Sequence, residues 1–395
     1  MPTFGRGMLE HWLLDPDYAY LNHGTVGAPP RRVLAKQQAL RDEIERQPSR
    51  FLLRELALEQ PAPWRSQSRL REAIAPVASF LGSEPGDLVF VSNVTSGLNA
   101  VLKSLPLEAD DEVLVTNLGY GAIAFAAAEA AAAHGANVRT VDMPFPVRDA
   151  DAVVEAVAAA LTSRTKLVVI DHVTARTALV LPVARVAAAC RRRGVPVLVD
   201  GAHAPGAIAL DVPALGVDWY VANLHKWAHT PRPCGVLWAA PGRQAILHPP
   251  VTSWGRGRGY LGEFEHVATS DPTAYLAAPE AMALIGEWGF PAILSYIHRL
   301  AWDAGGLLTE RWGTTLDTPR EMIGSMVTVP LPEAAGATDE DANRLRVALL
   351  VDDRIAVQLH AWRGRWWVRV SAQIYNELAD VERMAAAVER RMPPV

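Results

Sequence analysis

The fold class follows from two stretches, VPVLVDGAH at residues 195–203 and DWYVANLHKW at residues 218–227. Each is a short, continuously apolar run that ends in polar residues. Asp200 closes the first run, and Asn223 to Lys226 follow the second. Continuously apolar runs of this length are typical of strands that are buried on both faces. The two stretches therefore predict neighbouring strands of a mainly parallel sheet with helices on both faces.

Further apolar runs of the same kind lie on both sides of these stretches. The predicted strands between residues 86 and 240 are 88–91, 112–116, 137–141, 167–170, 195–199, 219–222 and 236–238. Amphipathic helical patterns, such as those over residues 150–161 and 183–193, separate most of these strands. Alternation of this kind predicts an α/β fold.

The pattern changes after residue 240. Residues 241–269 are rich in Gly, Pro, Arg and aromatic residues, which predicts a long irregular segment. After it come a helical region over 275–300 with a break at Gly289, strands at 326–331, 355–359 and 366–370, and a last helix from about Asp380. We therefore predict a large α/β domain over residues 15–270 and a smaller α+β domain over residues 271–395, with residues 1–14 packing against the smaller domain.

The composition of the 395 residues excludes several classes of function. A net charge of −5 offers no basic surface for nucleic acid, and no apolar run is long enough to span a membrane. The chain does not begin with a basic segment followed by an apolar one, so we expect no signal peptide and a cytoplasmic protein. Two cysteines, Cys190 and Cys234, are too few for a disulfide framework or a cysteine-based metal site, and we expect no metal.

Asp200 and Lys226 close consecutive predicted strands, so both side chains are expected to meet over one ligand. A buried Asp needs a cation, such as a protonated pyridine nitrogen or a metal ion shared with His203; otherwise it caps the next helix. A partly desolvated Lys acts as nucleophile and proton carrier. The pair favours pyridoxal 5′-phosphate (PLP), whose protonated ring is an electron sink.

Two further predicted strands end in polar residues. Ser92 to Gly97 opens a helix, where hydroxyl and backbone N–H groups predict either a phosphate site or a plain cap by Thr95 or Ser96. Asp171-His172-Val173-Thr174 brings a hydroxyl and an imidazole to the same edge of the sheet, although a single His there is more often structural than catalytic.

A competing motif fits a dinucleotide site. Gly119-Tyr120-Gly121-Ala122-Ile123-Ala124 matches G-x-G-x-x-A, and Asp142 lies 18 residues beyond Ala124 at the end of the next strand. Two residues separate the first Gly from its strand, and the motif follows the second strand rather than the first. An NAD-binding oxidoreductase therefore stays a remote alternative.

The quoted motifs resemble those of class V aminotransferase-like, fold-type I PLP enzymes. The resemblance rests on LNHG at 21–24, residues 93–99, DHVT at 171–174, DGAH at 200–203 and HKW at 225–227. Residues 269–276 (TSDPTAYL) and 369–376 (RVSAQIYN) are similar to the isopenicillin N epimerase-like branch. The motifs cover nearly the whole chain in one order.

The resemblance implies a role for each matched residue. Lys226 corresponds to the Schiff-base lysine, Asp200 to the partner of the ring nitrogen, and Tyr120 to the aromatic ring that stacks on the cofactor. The implied cofactor contacts are Thr95, Ser96, Tyr120, Thr174, Asp200, His203, Asn223, His225, Lys226 and Thr269. The catalytic residues are expected to be Lys226, Asp200, His203 and Tyr120.

Substrate and subunit contacts are implied in the same way. Arg369 corresponds to the arginine that binds the substrate α-carboxylate, and Asn22 and His23 are expected beside the substrate. Thr269 would reach the phosphate of a neighbouring subunit, which implies a homodimer. Ala268 departs from the branch, which commonly has Gly at this position.

The resemblance leaves several reactions open. An amino-acid epimerase or racemase is the first expectation, a C–S β-lyase similar to hercynylcysteine sulfoxide lyases the second, and an aminotransferase the third. Cysteine desulfurase activity is disfavoured, because Cys190 falls in a helical pattern and Cys234 just before a strand. The substrate is expected to be a small molecule, an α-amino acid whose identity the sequence does not specify.

Overall fold

A computed structural model describes residues 3–57, 64–333, 336 and 338–392. The described strands are β1 (Ala19–Tyr20), β2 (Leu88–Val91), β3 (Glu112–Thr116), β4 (Asn137–Val141), β5 (Thr165–Asp171), β6 (Val197–Asp200), β7 (Trp219–Asn223), β8 (Gly235–Ala239), β9 (Met326–Pro330), β10 (Ile355–Ala356), β11 (Gln358–Trp362) and β12 (Arg365–Ser371).

The described α-helices are α1 (His23–Val26), α2 (Arg31–Arg46), α3 (Pro48–Arg50), α4 (Arg69–Phe80), α5 (Val94–Ser104), α6 (Gly121–Ala132), α7 (Ala150–Ala160), α8 (Val183–Arg191), α9 (Gly259–Glu265), α10 (Thr273–Leu276), α11 (Ala278–Trp288), α12 (Phe290–Trp312), α13 (Asp339–Val351) and α14 (Leu378–Arg391). Short 3-10 helices cover Arg6–His11, Pro85–Asp87, Pro213–Leu215, Pro241–Arg243 and Arg320–Met322, and a π-helix covers Phe51–Glu55. No helix of the described residues is long and apolar enough to cross a membrane.

A seven-stranded sheet with the order β2-β8-β7-β6-β5-β3-β4 forms the centre of the structure. The neighbours from β7 to β4 all pair in parallel, whereas β8 is antiparallel to both β7 and β2. Because β3, β5, β6 and β7 run in one direction, their carboxyl ends lie along one edge of the sheet. That edge carries the residues after Thr116, together with Asp171, Asp200 and Asn223.

Helices cover both faces of this sheet. Val113, Val169 and Val221 face the cluster to which α5 and α6 contribute, whereas Leu114 and Ile170 face the larger cluster to which α4 and α8 contribute. Successive residues of a strand point to opposite faces, so the continuously apolar runs supply both clusters. The predicted α/β class, with helices on both faces, is confirmed.

A second, antiparallel sheet with the order β11-β12-β9 follows in the C-terminal part of the chain. The helices α12 and α13 pack on it. The predicted strand at 355–359 is wrong in one respect, because the run is divided at Val357. Ile355 and Ala356 pair in parallel with β1, and the chain joins β12 only from Gln358 onward.

The prediction of irregular structure over 241–269 is also wrong in part, because α9 forms there. Tyr260 and Phe264 are four residues apart and both buried, so one face of this short helix packs against the large sheet. The hydroxyl of Tyr260 also donates a hydrogen bond of 2.6 Å to the carbonyl of Leu237 on β8.

The division into domains at residue 270 stays a prediction. The helices α10 and α11 follow this boundary and pack against α2 and α4, which precede it. The N-terminal segment contacts the last part of the chain: the Gly5 N–H donates to the carbonyl of Ile374, and Arg6 forms an ion pair of 3.0 Å with Asp380.

Candidate active site

A cavity of about 540 Å³ lies at the carboxyl-end edge of the large sheet and is called the main cavity below. The small sheet borders it through Gln358 of β11 and Arg369 of β12. Ligand sites of open α/β sheets occur at this edge. Seven of the predicted site residues line the main cavity: Thr95, Tyr120, Asp200, His203, Asn223, Lys226 and Arg369.

Lys226 follows β7 and presents its amine to this cavity. The amine nitrogen Nζ lies 3.1 Å from Nε2 of His203. Burial is the largest cause that lowers the pKa of Lys226, to about 8; the charge of Arg369 lowers it further, and the charges of Asp200 and Asp171 oppose this. The neutral and so nucleophilic fraction of the amine near neutral pH is therefore much larger than that of an ordinary lysine.

The hydrogen bonds of His203 show which nitrogen of its ring carries the proton, and that proton points at the amine of Lys226. The indole N–H of Trp227 donates to Nδ1 of His203 over 3.4 Å, so Nδ1 carries a lone pair. Burial keeps the pKa of His203 well below its usual value, so the neutral ring has its proton on Nε2, which points at Lys226. A neutral Lys226 amine can accept that hydrogen bond, and an ammonium cannot.

Asp200 ends β6 and is only 3% exposed. Its Oδ1 accepts a hydrogen bond of 2.9 Å from the Ala202 N–H. Among the described residues no Lys, Arg or His forms an ion pair with it, and burial raises the pKa of this carboxyl. A cation bound in the cavity would supply the missing partner.

Asp171 is a cavity residue that we did not predict as part of the site. It ends β5, is in register with Asp200 on the neighbouring strand, and is buried. Burial and the charge of Asp200 raise the pKa of Asp171 well above its usual value, which favours its protonated form. The rule that identified Asp200, a polar residue that closes a buried strand, applies to Asp171 equally.

The N-terminus of α5 lies at the other side of the cavity. The cap is Asn93, whose side chain accepts the Ser96 N–H at 3.0 Å, and not Thr95 or Ser96 as considered from the sequence. Asn223 accepts the Val94 N–H at 3.0 Å. Within the described residues this leaves the hydroxyl and backbone N–H of Thr95 available to an anion at the positive end of the helix dipole.

Glycine brings this helix end close to the sheet. A Cβ atom at Gly97 in the first turn of α5 would collide with the side chain of Val221 on β7. The absence of a side chain at residue 97 therefore allows α5 to approach β7, which places Thr95 on the same cavity as Lys226.

Tyr120 precedes α6, and its side chain lines the main cavity with 53% of its surface exposed. This position is compatible with the predicted stacking on a flat ligand. The neighbouring Gly119 lies against Asp171, since a Cβ atom at residue 119 would be 3.2 Å from Oδ2 of Asp171.

Arg369 is 4% exposed and has no carboxylate partner among the described residues. Its Nη1 donates to the carbonyl of Ala175, and its Nη2 donates to Thr25 at 2.8 Å and to Asn22 at 3.2 Å. Its Nε has no hydrogen-bond partner, and burial lowers the pKa of the guanidinium to about 10. A buried guanidinium without a counter-ion is costly, so an anion would complete this part of the site. Asn22 therefore orients Arg369 and does not line the cavity itself.

Three predicted contact residues, His23, Thr174 and Ser96, do not line the main cavity, and their roles stay predictions. His23 does not line the cavity, because its Nδ1 contacts the Tyr375 hydroxyl at 2.7 Å and its Nε2 the Lys226 carbonyl at 2.8 Å. The hydroxyl of Thr174 is buried in a turn, where it contacts Thr177 at 2.6 Å and accepts the Leu179 N–H. Ala175 and Arg176 line the cavity in place of Thr174.

Ser96 is the third predicted contact residue that lies outside the main cavity. It faces a neighbouring cavity of about 740 Å³, which Thr95 also borders. Its hydroxyl lies 2.7 Å from the hydroxyl of Ser92. The sequence places both Thr95 and Ser96 in the first turn of α5 but does not show to which side each hydroxyl points.

His225 and Thr269 also lie outside the lining of the main cavity. His225 is half-buried, its Nδ1 is 2.8 Å from the carbonyl of Cys234, and burial lowers its pKa to about 4. Thr269 is exposed and follows Ala268, whose φ is 98°. The phosphate contact of His225, the contact of Thr269 with a second subunit, and the homodimer stay predictions.

The residues present fit PLP. Asp200 lacks a cation that a pyridine nitrogen would supply, Thr95 at the α5 N-terminus suits a phosphate, and Lys226 offers a neutral amine for an aldehyde. Arg369 is then available to bind the carboxylate of an amino-acid substrate. A dinucleotide site at Gly119 would leave these groups unused.

Comparisons with known proteins agree with this geometry. The family model described as aminotransferase class-V matches residues 59–384. The isopenicillin N epimerase of Streptomyces clavuligerus is 33% identical over 395 residues, which cover 95% of this chain and 96% of that protein. A probable chloroplastic L-cysteine desulfhydrase of Arabidopsis thaliana is 31% identical over 403 residues, which cover 95% and 83%.

Among solved structures, the cystine C–S lyase C-DES in complex with cysteine persulfide has a similar fold. Its TM-score is 0.75 at 22% identity, and the match covers 95% of this chain and 98% of that chain. The family match removes the NAD-binding alternative. The chain therefore belongs to the class V aminotransferase family, whose fold-type I members are PLP-dependent enzymes.

Proposed function

We propose that this PLP-dependent enzyme is an epimerase or racemase that acts at the Cα of an α-amino acid. The observation that carries the proposal is the Lys226 amine, which lies 3.1 Å from the neutral His203 and has its pKa lowered to about 8. A group with a pKa near the working pH is suited both to take a proton from Cα and to return one.

The other cavity residues bind and orient the reactants. When bound, PLP accepts electron density from the Cα–H bond and so acidifies it. Asp200 would hold the proton on the ring nitrogen, Thr95 would bind the phosphate, and Arg369 would bind the substrate carboxylate through its guanidinium. Arg369 thereby fixes the orientation of the Cα–H bond towards Lys226.

Inversion at Cα needs a proton donor on the face opposite to Lys226. Tyr120 and His23, which the sequence predicts beside the cofactor and the substrate, are two residues that could supply it. Both ring nitrogens of His23 are hydrogen-bonded outside the cavity, whereas the ring of Tyr120 lines the cavity and is exposed. The geometry therefore favours Tyr120 as the second proton carrier.

Reaction in D₂O with single enantiomers of amino acids tests this proposal. We expect deuterium at Cα and formation of the opposite enantiomer, without release of pyruvate or ammonia. Tyr120→Phe keeps an aromatic ring but lacks the hydroxyl, so it should retain deuterium exchange and lose inversion by about 10²-fold or more. Stoichiometric pyruvate from wild-type enzyme would contradict the epimerase proposal.

A C–S β-lyase is the second candidate, favoured by the similarity to a cysteine desulfhydrase and to a C–S lyase. The same Lys226 would remove the Cα proton, after which a sulfur leaving group would depart from Cβ. A mechanism with a cysteine as sulfur acceptor is disfavoured, because Cys190 and Cys234 are both fully buried and neither lines the cavity. Stoichiometric pyruvate would support this candidate, and transfer of the amino group to a keto acid would support an aminotransferase.

Capture of PLP by cofactor-free enzyme is expected to accelerate as the pH rises through about 8 and then to level off. The pKa of Lys226 is lowered to about 8, so the amine is mostly protonated below this pH and mostly neutral above it, and only the neutral form attacks an aldehyde. Stopped-flow absorbance between pH 6.5 and 10.5 measures the rate. Lys103→Ala, on α5 away from the main cavity, is the control and should leave the profile unchanged. An inflection near the usual lysine value would contradict this prediction.

A further inference from the structure

We infer that the side of the main cavity bordered by the small sheet is a subsite for a second carboxylate on the substrate, and that Arg176 is its specificity-determining residue. The inference rests on the proposed action on an α-amino acid and extends it to a substrate class. The expected substrates are amino acids whose side chain ends in a carboxylate several bonds from Cα.

The backbone that carries Arg176 is fixed to the small sheet. Gln358, Arg369 and Thr328 form one row across β11, β12 and β9. Arg369 donates to the carbonyl of Ala175, and the Thr328 hydroxyl donates to the carbonyl of Arg176 at 2.8 Å. These two contacts hold consecutive peptide groups, so the Arg176 side chain begins from a rigid position at the cavity wall.

The charges of this region are unbalanced. Arg176 and Arg369 both line the main cavity, and within the described ranges neither forms an ion pair with a carboxylate. The cavity carboxylates Asp171 and Asp200 lie at the ends of β5 and β6 and make no ion pair with either arginine. One substrate carboxylate can neutralise the buried Arg369, and the exposed guanidinium of Arg176 on the same cavity can pair with a second anion.

Neighbouring groups agree with a subsite for an anion. The amide of Gln358 borders the cavity, and its oxygen accepts from Arg346 at 3.4 Å, so its NH₂ group can donate to a ligand. His360 lies two residues further along β11, on the same face, is 8% exposed, and has no hydrogen-bond partner at either ring nitrogen. Burial and then the charges of Arg176 and Arg369 lower the pKa of His360 to about 4, so its ring is neutral near neutral pH.

Apolar side chains line the same cavity. Ala122 and Phe125, three residues apart on α6, both line the cavity, and Phe125 is 78% exposed. The methylene groups between Cα and a distal carboxylate could pack against this wall. The arrangement therefore fits a charged end on an aliphatic stem better than a short side chain such as that of cysteine.

Titration of the holoenzyme with amino acids of matched length tests the inference. L-Glutamate and L-2-aminoadipate are compared with L-glutamine and L-norleucine, and the change in cofactor absorbance gives each affinity. We expect wild-type enzyme to bind the acidic amino acids more tightly. Arg176→Gln should weaken their binding by about five- to tenfold and change the binding of norleucine by less than about twofold.

Two variants make the test specific for charge. Arg176→Glu should reverse the preference, so that L-lysine binds better than L-glutamate. Arg193→Gln, at an exposed position beyond α8 and outside the cavity lining, is the matched control and should leave all affinities unchanged. An absorbance response without charge preference, or a preference that survives in Arg176→Gln, would overturn this inference alone. The absence of a response to any amino acid would overturn the proposed function as well.

Discussion

Replacement of Lys226 by alanine is expected to lower turnover by about 10⁴-fold. In the proposed function Lys226 supplies both the amine that attaches the cofactor and the base that takes the Cα proton, so a single substitution would remove two functions. Its amine lies beside His203 in the main cavity, and no other lysine borders that cavity. Initial rates of deuterium exchange or pyruvate release, whichever the enzyme performs, measure the loss.

Two further variants serve as comparisons. One keeps a positive charge at residue 226 without a nucleophilic amine, and the other removes a lysine outside the cavity. Lys226→Arg keeps a cation, but its guanidinium stays protonated and cannot attack an aldehyde, so it should be as inactive as the alanine variant. Lys166→Ala removes a half-exposed lysine that lies 3.6 Å from Asp111, and it should keep full activity. Activity of Lys226→Ala within tenfold of wild type would contradict the assigned role.

Replacement of Asp200 by asparagine is expected to lower turnover by about 10²- to 10³-fold. The amide has nearly the shape of the carboxylate and can still accept the Ala202 N–H, so the loop that begins there should be preserved. A neutral amide cannot stabilise a proton on the cofactor ring, and a neutral ring withdraws fewer electrons from Cα. The rate is measured with saturating PLP so that weaker cofactor binding does not contribute.

Asp171→Asn is the matched comparison for this prediction. The pKa of Asp171 is raised well above its usual value by burial and by the charge of Asp200, so a neutral amide resembles its protonated form and we expect a loss of less than about tenfold. Thermal unfolding shows whether either variant is misfolded. Equal losses in the two variants would contradict the assignment of the ring contact to Asp200.

The polar residues at the strand ends could be predicted from the sequence, because the pattern that identifies a buried strand lies within a few consecutive residues. A continuously apolar run must be buried on both faces, and parallel strands bring their carboxyl ends to one edge. Asp200, Asn223 and Lys226 therefore lie on the main cavity as predicted. Thr95 and Tyr120 follow strands of the same sheet and also lie there.

Side-chain directions could not be predicted in the same way. His23, Thr174 and Ser96 lie close to the cavity in the chain, but each side chain turns to a partner that is set by packing: Tyr375, Thr177 and Ser92. The place of Arg176 on the cavity is likewise set by packing and was not predicted. Its position depends on Thr328, 152 residues away, and a pattern within one strand or helix does not show such a contact.

Reduction of the purified enzyme with borohydride tests the central claim most directly. We expect PLP-loaded wild-type protein to lose its yellow absorbance and to gain the mass of one reduced pyridoxyl phosphate per chain, which peptide mapping should place on Lys226. Lys226→Ala, loaded and reduced in parallel, should gain no covalent cofactor. Attachment to Lys36, Lys103 or Lys166 in the wild-type protein, or equal labelling of Lys226→Ala, would contradict the account.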